Sequence, residues 1–520
     1  MTAPRRLLRC PEPVPLFDDA TARRMERRAA ASLPAHALMG RAGVALLRLA
    51  RAIAPHARVA WIAAGPGNNG GDGLVLATWL RRAGVDVSVT LVGHAADRPL
   101  PVDAAWALDE ARAAGVTLRT DLPQADERAR IDLAVDALLG LGQARAPAGA
   151  LAAAIAALNA IAAPLLSVDV PTGLSSETGA TLGEATVRAT HTLTLLAAKP
   201  GLFTGSGREF AGEIWFHDLG VTAEADEPPV ATLTGADAAA AVLPRRRHLA
   251  NKGSFGDVHV AGGAAGMVGA SLLAAHAASL AGAGRVLVHA HSSDAGGVLP
   301  VDVRHPELML RPVAELQAAL RDNRQATVVA GCGGGDDVVA ELPGCLSNAG
   351  RLVLDADALN AIARDTSLRA QLRARATRAA PTLLTPHPLE AARLLGTTAA
   401  EVQADRFAAA RRLAADTGAV VVLKGSGTLV ACPDGRLAVN PSGDARLASA
   451  GTGDVLAGWI GGLWSAQPPT DAAADLAFAV AQAAAWLHGR ACDFAPGDRL
   501  PLVAGELAAL MARATRSLAD

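Results

Sequence analysis

Apolar runs of strand length alternate with runs of helix length along most of this chain, and that alternation leaves few folds open. A strand joined through a helix to a parallel strand needs a sheet covered on both faces. Over residues 1 to about 218, strands are expected at 57–64, 85–92, 131–136, 164–169, 190–196 and 213–217, and helices at 18–31, 35–53, 72–82, 103–114 and 149–162. A second unit of the same class starts near residue 241. Its strands are expected at 257–261, 285–290, 327–331, 351–355, 381–385 and 419–423, followed by a hairpin around Pro433-Asp434-Gly435. Its helices are expected at 269–281, 388–395, 399–416 and 454–464. A chain of 520 residues exceeds one core. The expected division is 1–220, an acidic and proline-bearing linker within 221–240, and 241–520, each large part an αβα sandwich.

Composition removes several function classes. A formal net charge of −2 offers no electrostatic reason to bind nucleic acid or an anionic membrane. The five cysteines are odd in number and include no C-x-x-C pair, which points to reduced thiols in a cytoplasm. Arg5-Arg6 is not followed by the apolar stretch of a signal peptide. Residues 149–168 carry no charge, yet they are mostly alanine with Asn159 and Pro164 inside. A buried helix and then a strand fit them better than a membrane span.

Active residues of such sheets sit at the carboxyl ends of strands. The stretch Gly65-Pro66-Gly67-Asn68-Asn69-Gly70-Gly71-Asp72-Gly73 follows one strand and opens a helix. Its glycines let backbone amides approach an anion, and its asparagines and aspartate offer oxygens to a cation. Gly65, Gly67 and Gly70 match G-x-G-x-x-G, but the next strand ends in Gly93-His94 where a dinucleotide fingerprint expects an acid. A phosphorylated ligand, a hard metal ion and a plain glycine turn all stay open here. Two further strands end in Asp136 and Asp169.

In the second unit, Ala450-Gly451-Thr452-Gly453-Asp454 opens an apolar helix. Amides at its start would hold an anion, and Asp454 beside them could accept a proton from a hydroxyl, or simply cap the helix. Lys424-Gly425-Ser426-Gly427-Thr428 follows a strand and suits a nucleotide, though it is not a Walker loop. His387, between Pro386 and Pro388, lies at another strand end.

Together these motifs resemble the bifunctional NAD(P)H-hydrate repair enzyme family, from about residue 15 to the end. The N-terminal half looks like the epimerase through Asn68–Asp72, Asp136–Gly140, Asp169–Gly173 and Lys199–Gly201. The C-terminal half is similar to the ADP-dependent dehydratase, a ribokinase-like αβα domain, through Lys252–Gly256, Thr385–Pro388, Lys424–Thr428, Asn440–Gly443 and Gly451–Asp454. The resemblance implies a Rossmann-like N-terminal sandwich in which Asn68, Asn69, Gly70, Gly71 and Asp72 contact the hydrate. It implies that Gly140, Leu141, Gly142, Gln143, Ala144, Arg145 and Ala146 hold its phosphates. Asp169 would be catalytic beside the nicotinamide ring, and Asn69, Asp136 and Thr172 would ligate K+. In the second domain, Ala270, Gly333, His387 and Asp454 would line the hydrate site, Asp454 as the base. Lys424, Gly425, Ser426, Gly427, Thr428 and Gly453 would bind ADP, with Mg2+. A homo-oligomer is expected, with small molecules as the other partners.

The chain departs from that pattern at Gly40, Leu389 and Ala450, where glutamate, glycine and glycine are common. None of the three removes a candidate catalytic group, although the last two lie near the dehydratase site. A small-molecule kinase fused to a nucleotide-binding domain, or a nucleotide sensor without turnover, would use the same motifs. Phosphorylated product would mark the kinase, and indifference to Asp454→Asn would mark the sensor.

Overall fold

The structure, a computed structural model, describes residues 3–94, 99–291, 301–497 and 500–518. The chain separates into two compact units, Met1–Cys10 with Val14–Thr232 and Pro11–Pro13 with Leu233–Asp520. That division falls inside 221–240, which is not all extended connector. It carries a strand, Ala231–Leu233, and a short helix, Ala236–Ala240.

The N-terminal unit is built on a sheet ordered Arg5–Arg6, Glu213–His217, His191–Leu195, Leu165–Val168, Leu133–Ala137, Val59–Ala64, Asp86–Leu91 and Thr117–Arg119. All neighbours are parallel except the first pair. The earliest parallel strand, Val59–Ala64, lies between Asp86–Leu91 and Leu133–Ala137, so loops leaving it and its two neighbours diverge. A crevice at the carboxyl ends of the strands must open there. Trp61 fills the sheet core, fully buried, and its indole N–H donates to Thr90 Oγ1 at 3.0 Å.

The second unit repeats the plan. Its strands run Met309–Leu310, Arg285–Ala290, Asp257–Gly262, Thr327–Ala330, Arg351–Leu354, Thr382–Leu384 and Val420–Leu423, all parallel, and continue as the antiparallel Leu429–Ala431 and Leu437–Val439. The switch point flanks Asp257–Gly262. Two helices on one face, Val268–Ala281 and Thr452–Ser465, pack nearly backbone to backbone. A methyl carbon built on Gly458 would stand 2.0 Å from the Ala274 carbonyl oxygen, and one on Gly462 would stand 2.1 Å from that of Ala278. Among the described residues, no helix is long and apolar enough to cross a membrane. The uncharged 149–168 stretch is the helix Ala150–Asn159 and the strand Leu165–Val168.

Two helix boundaries differ from expectation. The helix expected at 72–82 already begins at Asn68, so Asn68 to Asp72 form its opening turns and not a loop. The run 399–416 is two helices, Ala399–Ala404 and Arg406–Thr417, because Asp405 leaves helical geometry and caps the second through the Ala408 amide at 2.9 Å.

Candidate active sites

A cleft of about 1270 Å³ opens at the switch point of the N-terminal unit. Asn68, Asn69, Asp72, the whole loop Gly140 to Ala146, and Asp169 line it. Gly70 and Gly71 do not. Both are buried by packing, and a methyl carbon on Gly70 would stand 1.9 Å from the Gly65 carbonyl oxygen. His94, where a ribose-binding acid would stand, hydrogen-bonds the Gly65 carbonyl through Nε2 at 3.1 Å and so braces this turn.

Asp169 directly follows the strand Leu165–Val168 and sits at φ +67°, a left-handed conformation that a non-glycine residue holds only when its surroundings enforce it. Those surroundings are specific. Its Oδ1 accepts the Leu195 amide at 3.1 Å, the Thr194 hydroxyl at 3.3 Å and the Lys199 ammonium. Lys199, 1% exposed, also donates to the Leu195 carbonyl at 2.6 Å. All three contacts fall on one oxygen, so among the described residues the other carboxylate oxygen is left to meet a ligand in the cleft. Glu26 and Asp72 face the same space. Burial first, then the Asp169 charge, pushes both carboxyls upward, Asp72 well above the usual range. Arg23 lines the cleft with no ion pair among the described residues, and Arg145 stands exposed on the loop. The Gly140–Ala146 loop is held from both sides. Gly142 N–H donates to Asp19 Oδ2 at 2.8 Å, and Gln143 Oε1 accepts the Gly173 amide at 2.7 Å.

The three residues implied for K+ lie close under this loop. Asp136 is fully buried and accepts four hydrogen bonds: Leu138 N and Thr172 Oγ1 on Oδ1, Ser167 Oγ and Thr172 N on Oδ2. Thr172 Oγ1 in turn accepts the Leu139 amide at 3.1 Å. Asn69 stands against Gly140, where a methyl carbon would come 2.9 Å from its Oδ1, and its Nδ2 is buried without a partner among the described residues. Amide oxygen and nitrogen are interchangeable by a flip. Turned over, Asn69 would put an oxygen into that buried space. A carboxylate, a hydroxyl, an amide and nearby backbone carbonyls are the donors a hard cation takes, so the set fits K+.

The C-terminal unit gathers a second set at its strand ends. The helix Thr452–Ser465 starts after Gly451, left-handed at φ +87°, and carries Asp454 in its first turn. One ligand atom each from Cys332, Asp355 and Asp454 lie within 4.8 Å of one another. Asp355 Oδ1 accepts Lys424 Nζ and Thr385 Oγ1, both at 2.7 Å. Lys424 Nζ would stand 3.3 Å from a methyl carbon on Gly453, so the ammonium lies at the positive end of the Asp454 helix. Burial, and then the Asp355 charge, raises the Asp454 carboxyl to about 6. The same burial holds the Cys332 thiol well above its ordinary range. Two carboxylates suit a Mg2+ shared with phosphate oxygens, whereas the buried thiol does not.

Gly333 and Ala270 meet across the switch point, a methyl carbon on the glycine coming 2.8 Å from the alanine Cβ. His387 caps the helix Pro388–Leu395: its Nδ1 accepts the Leu389 amide at 3.0 Å, while Glu390 Oε2 accepts the His387 amide at 2.7 Å. Capping therefore fixes the ring as a neutral imidazole with its proton on Nε2. The glycine common at position 389 is not needed here, since that residue is helical and Leu389 is 45% exposed. Behind the Lys424–Thr428 loop, the fully buried Arg406 donates to the Leu423 and Lys424 carbonyls at 3.2 Å, and Thr428 Oγ1 bonds the Gly425 carbonyl at 3.1 Å.

Sequence reading passed over Glu26, Arg23, Cys332 and Arg406, and gave Lys199 and Asp355 no role. Lys199 carried a usable signal, a lone cation inside an apolar strand end (Leu195-Leu-Ala-Ala-Lys199). Arg406 carried none.

A family model described as NAD(P)H-hydrate dehydratase matches residues 258–511, and one described as YjeF-related protein N-terminus matches residues 35–201. The bifunctional NAD(P)H-hydrate repair enzyme of Escherichia coli is 37% identical over 477 residues, covering 91% of this chain and 88% of that protein. Its Leishmania braziliensis counterpart is 36% identical over 498 residues, covering 90% and 87%. Among solved structures, the ADP/ATP-dependent NAD(P)H-hydrate dehydratase from Bacillus subtilis, co-crystallized with ATP/Mg2+, is 27% identical, with a TM-score of 0.44 over 54% of this chain and 96% of that one. Identity at that level over nine-tenths of the chain, with both family models in order, settles the kinship: this chain belongs to the bifunctional NAD(P)H-hydrate repair enzyme family.

Proposed function

We propose that the chain repairs hydrated NADH and NADPH in two steps, with residues 1–220 interconverting the R and S hydrates, residues 241–520 dehydrating the S form at the expense of ADP, and 221–240 joining them. The observation that carries this reading is the placement of Asp454 beside Asp355 and Lys424 at the start of a helix.

Hydroxide is a poor leaving group, since water has a pKa of about 15.7. Phosphate, with a second pKa of about 6, leaves readily. Asp454, its carboxyl raised to about 6, is mostly ionised at neutral pH and takes the proton from the ring hydroxyl. The hydroxyl oxygen attacks the terminal phosphorus of ADP, and the bond to the AMP oxygen breaks. Lys424 and the amides from Gly451 to Gly453 stabilise the charge that develops. Phosphate then leaves from the hydrated carbon as the neighbouring ring carbon gives up a proton to solvent, and the double bond formed between them restores the conjugated dihydronicotinamide. Mg2+, held by Asp355, would neutralise phosphate charge. The Lys424–Thr428 loop, backed by Arg406, seats the nucleotide.

In the first unit the cleft is large enough for a dinucleotide. The Gly140–Ala146 amides with Arg23 and Arg145 take its phosphates, and Asn68 and Asp72 its polar edges. Asp169, with one oxygen locked by Lys199 and Leu195, moves the proton as the hydrated ring carbon opens and recloses on the other face. K+ among Asn69, Asp136 and Thr172 would orient the substrate by its charge. Five free cysteines suit a reducing cytoplasm.

Racemic NADH hydrate, supplied with ADP, Mg2+ and K+, tests both halves. Full recovery of reduced-nicotinamide absorbance is expected. Recovery of half refutes the epimerase assignment, no recovery with ADP or ATP refutes the dehydratase, and an accumulating phosphorylated hydrate marks a kinase.

A further inference from the structure

A second polar cluster lies in the C-terminal unit, away from Asp454. His276 is on the helix Val268–Ala281, and His305 and Glu307 are on the segment leading into the strand Met309–Leu310. One nitrogen from each ring and one carboxylate oxygen lie within 4.8 Å of one another. The imidazoles stack with centroids 3.6 Å apart and planes 24° from parallel. His276 Nδ1 is buried and has no hydrogen-bond partner among the described residues. Buried polar atoms are seldom left unpaired, and each that is asks for a missing ligand, water or ion.

The ligands are also held in advance. Asp302 Oδ1 accepts the Arg304 amide at 2.9 Å and the His305 amide at 3.3 Å, which fixes the turn. Leu308 is 3% exposed in the core, and its amide donates to the His305 carbonyl at 3.1 Å. His276 rides on the helix packed against the Asp454 helix. Preorganised ligands on rigid elements are what a metal site requires.

We propose that His276, His305 and Glu307 bind a divalent transition-metal ion of the zinc class, which clamps the helix Val268–Ala281 to the segment 301–308. Two imidazoles and a carboxylate select zinc, cobalt or nickel over Mg2+ or K+, and three protein ligands leave one position for water. Nothing in the repair reaction requires this ion, so the proposal stands or falls independently of the proposed function.

Co2+ alone is the probe, added to chelator-treated full-length protein. The expected result is one equivalent bound, with visible d–d absorption of a low-coordinate site and a rise in melting temperature. To keep the Cys332–Asp355–Asp454 group out of the reading, the parent and all variants carry Cys332→Ala and Asp454→Asn. His305→Ala, at a half-buried position, and Glu307→Gln, at an exposed one, are each expected to weaken Co2+ binding at least tenfold and to abolish the melting shift. Circular dichroism matching the parent excludes misfolding. Equal Co2+ binding by parent and His305→Ala, or no binding by the parent, overturns the site.

Discussion

Replacing Asp454 by asparagine separates what this carboxylate does in the reaction from what it does to the fold. Burial and the Asp355 charge raise its carboxyl from 3.8 to about 6. In the unfolded chain it titrates near the ordinary value. Between about pH 4 and pH 6 the folded state therefore holds a proton that the unfolded state has released. Stability falls as pH rises through that window, and the loss is complete above it. A shift of about two units is worth about 3 kcal/mol. For a unit of this size that is a melting shift of roughly 5–10 °C. Asp454→Asn removes the charge, so it should melt with wild type at pH 4 and above it at pH 8. Dehydration at pH 8 should fall by about 10²–10⁴, the usual range for a lost general base. The wild-type rate should itself decline on the acid side with a midpoint near 6. Scanning calorimetry at the two pH values and recovery of reduced-nicotinamide absorbance give both readings. A variant that melts with wild type at pH 8, or keeps more than a tenth of its rate, would refute the reasoning.

Lys199→Met leaves Asp169 buried without its cation, and should cost about 3–5 kcal/mol as well as epimerase activity. The double variant with Asp169→Asn should regain most of the melting temperature but no epimerisation, and a single variant as stable as the double would contradict this. Gly140→Ala puts a methyl carbon 2.9 Å from Asn69 Oδ1. The K+ concentration for half-maximal epimerisation should then rise several-fold, measured at constant ionic strength. Arg406→Gln withdraws two bonds from the Leu423 and Lys424 carbonyls. The KM for ADP should rise about tenfold, the equivalent of about 1.4 kcal/mol, with kcat little changed.

Most strands were legible because each is a short apolar run bounded by turn residues, as Ala57–Ala64 and Ala419–Leu423 illustrate, whereas the short Thr117–Arg119 and Met309–Leu310 were not. The helices Ala473–Arg490 and Ala504–Arg516 went unread. The first is so rich in alanine that its two faces hardly differ, and the apolar period carries little signal. Asn68 to Asp72 read as loop because adjacent glycines disfavour helix. The helix persists there because Gly71 and Gly73 let it lie against Met39 and Ala137. Asp169 and Asp454 were legible as carboxylates at strand ends or helix starts. Their partners were not. Lys199 reaches Asp169 from the far side of the next strand, and Asp355 meets Lys424 across 69 residues of sequence. Such pairings belong to the sheet order, which no local pattern encodes.

The contact of Gly458 and Gly462 with Ala274 and Ala278 gives the small residues of this chain a mechanical meaning. With no side chain between the two backbones, the rod bearing Asp454 can neither slide nor roll without collision. The reach of Asp454 is thereby set one and two turns behind it. Drift toward bulkier residues there would spare every recognisable motif and still detune the enzyme.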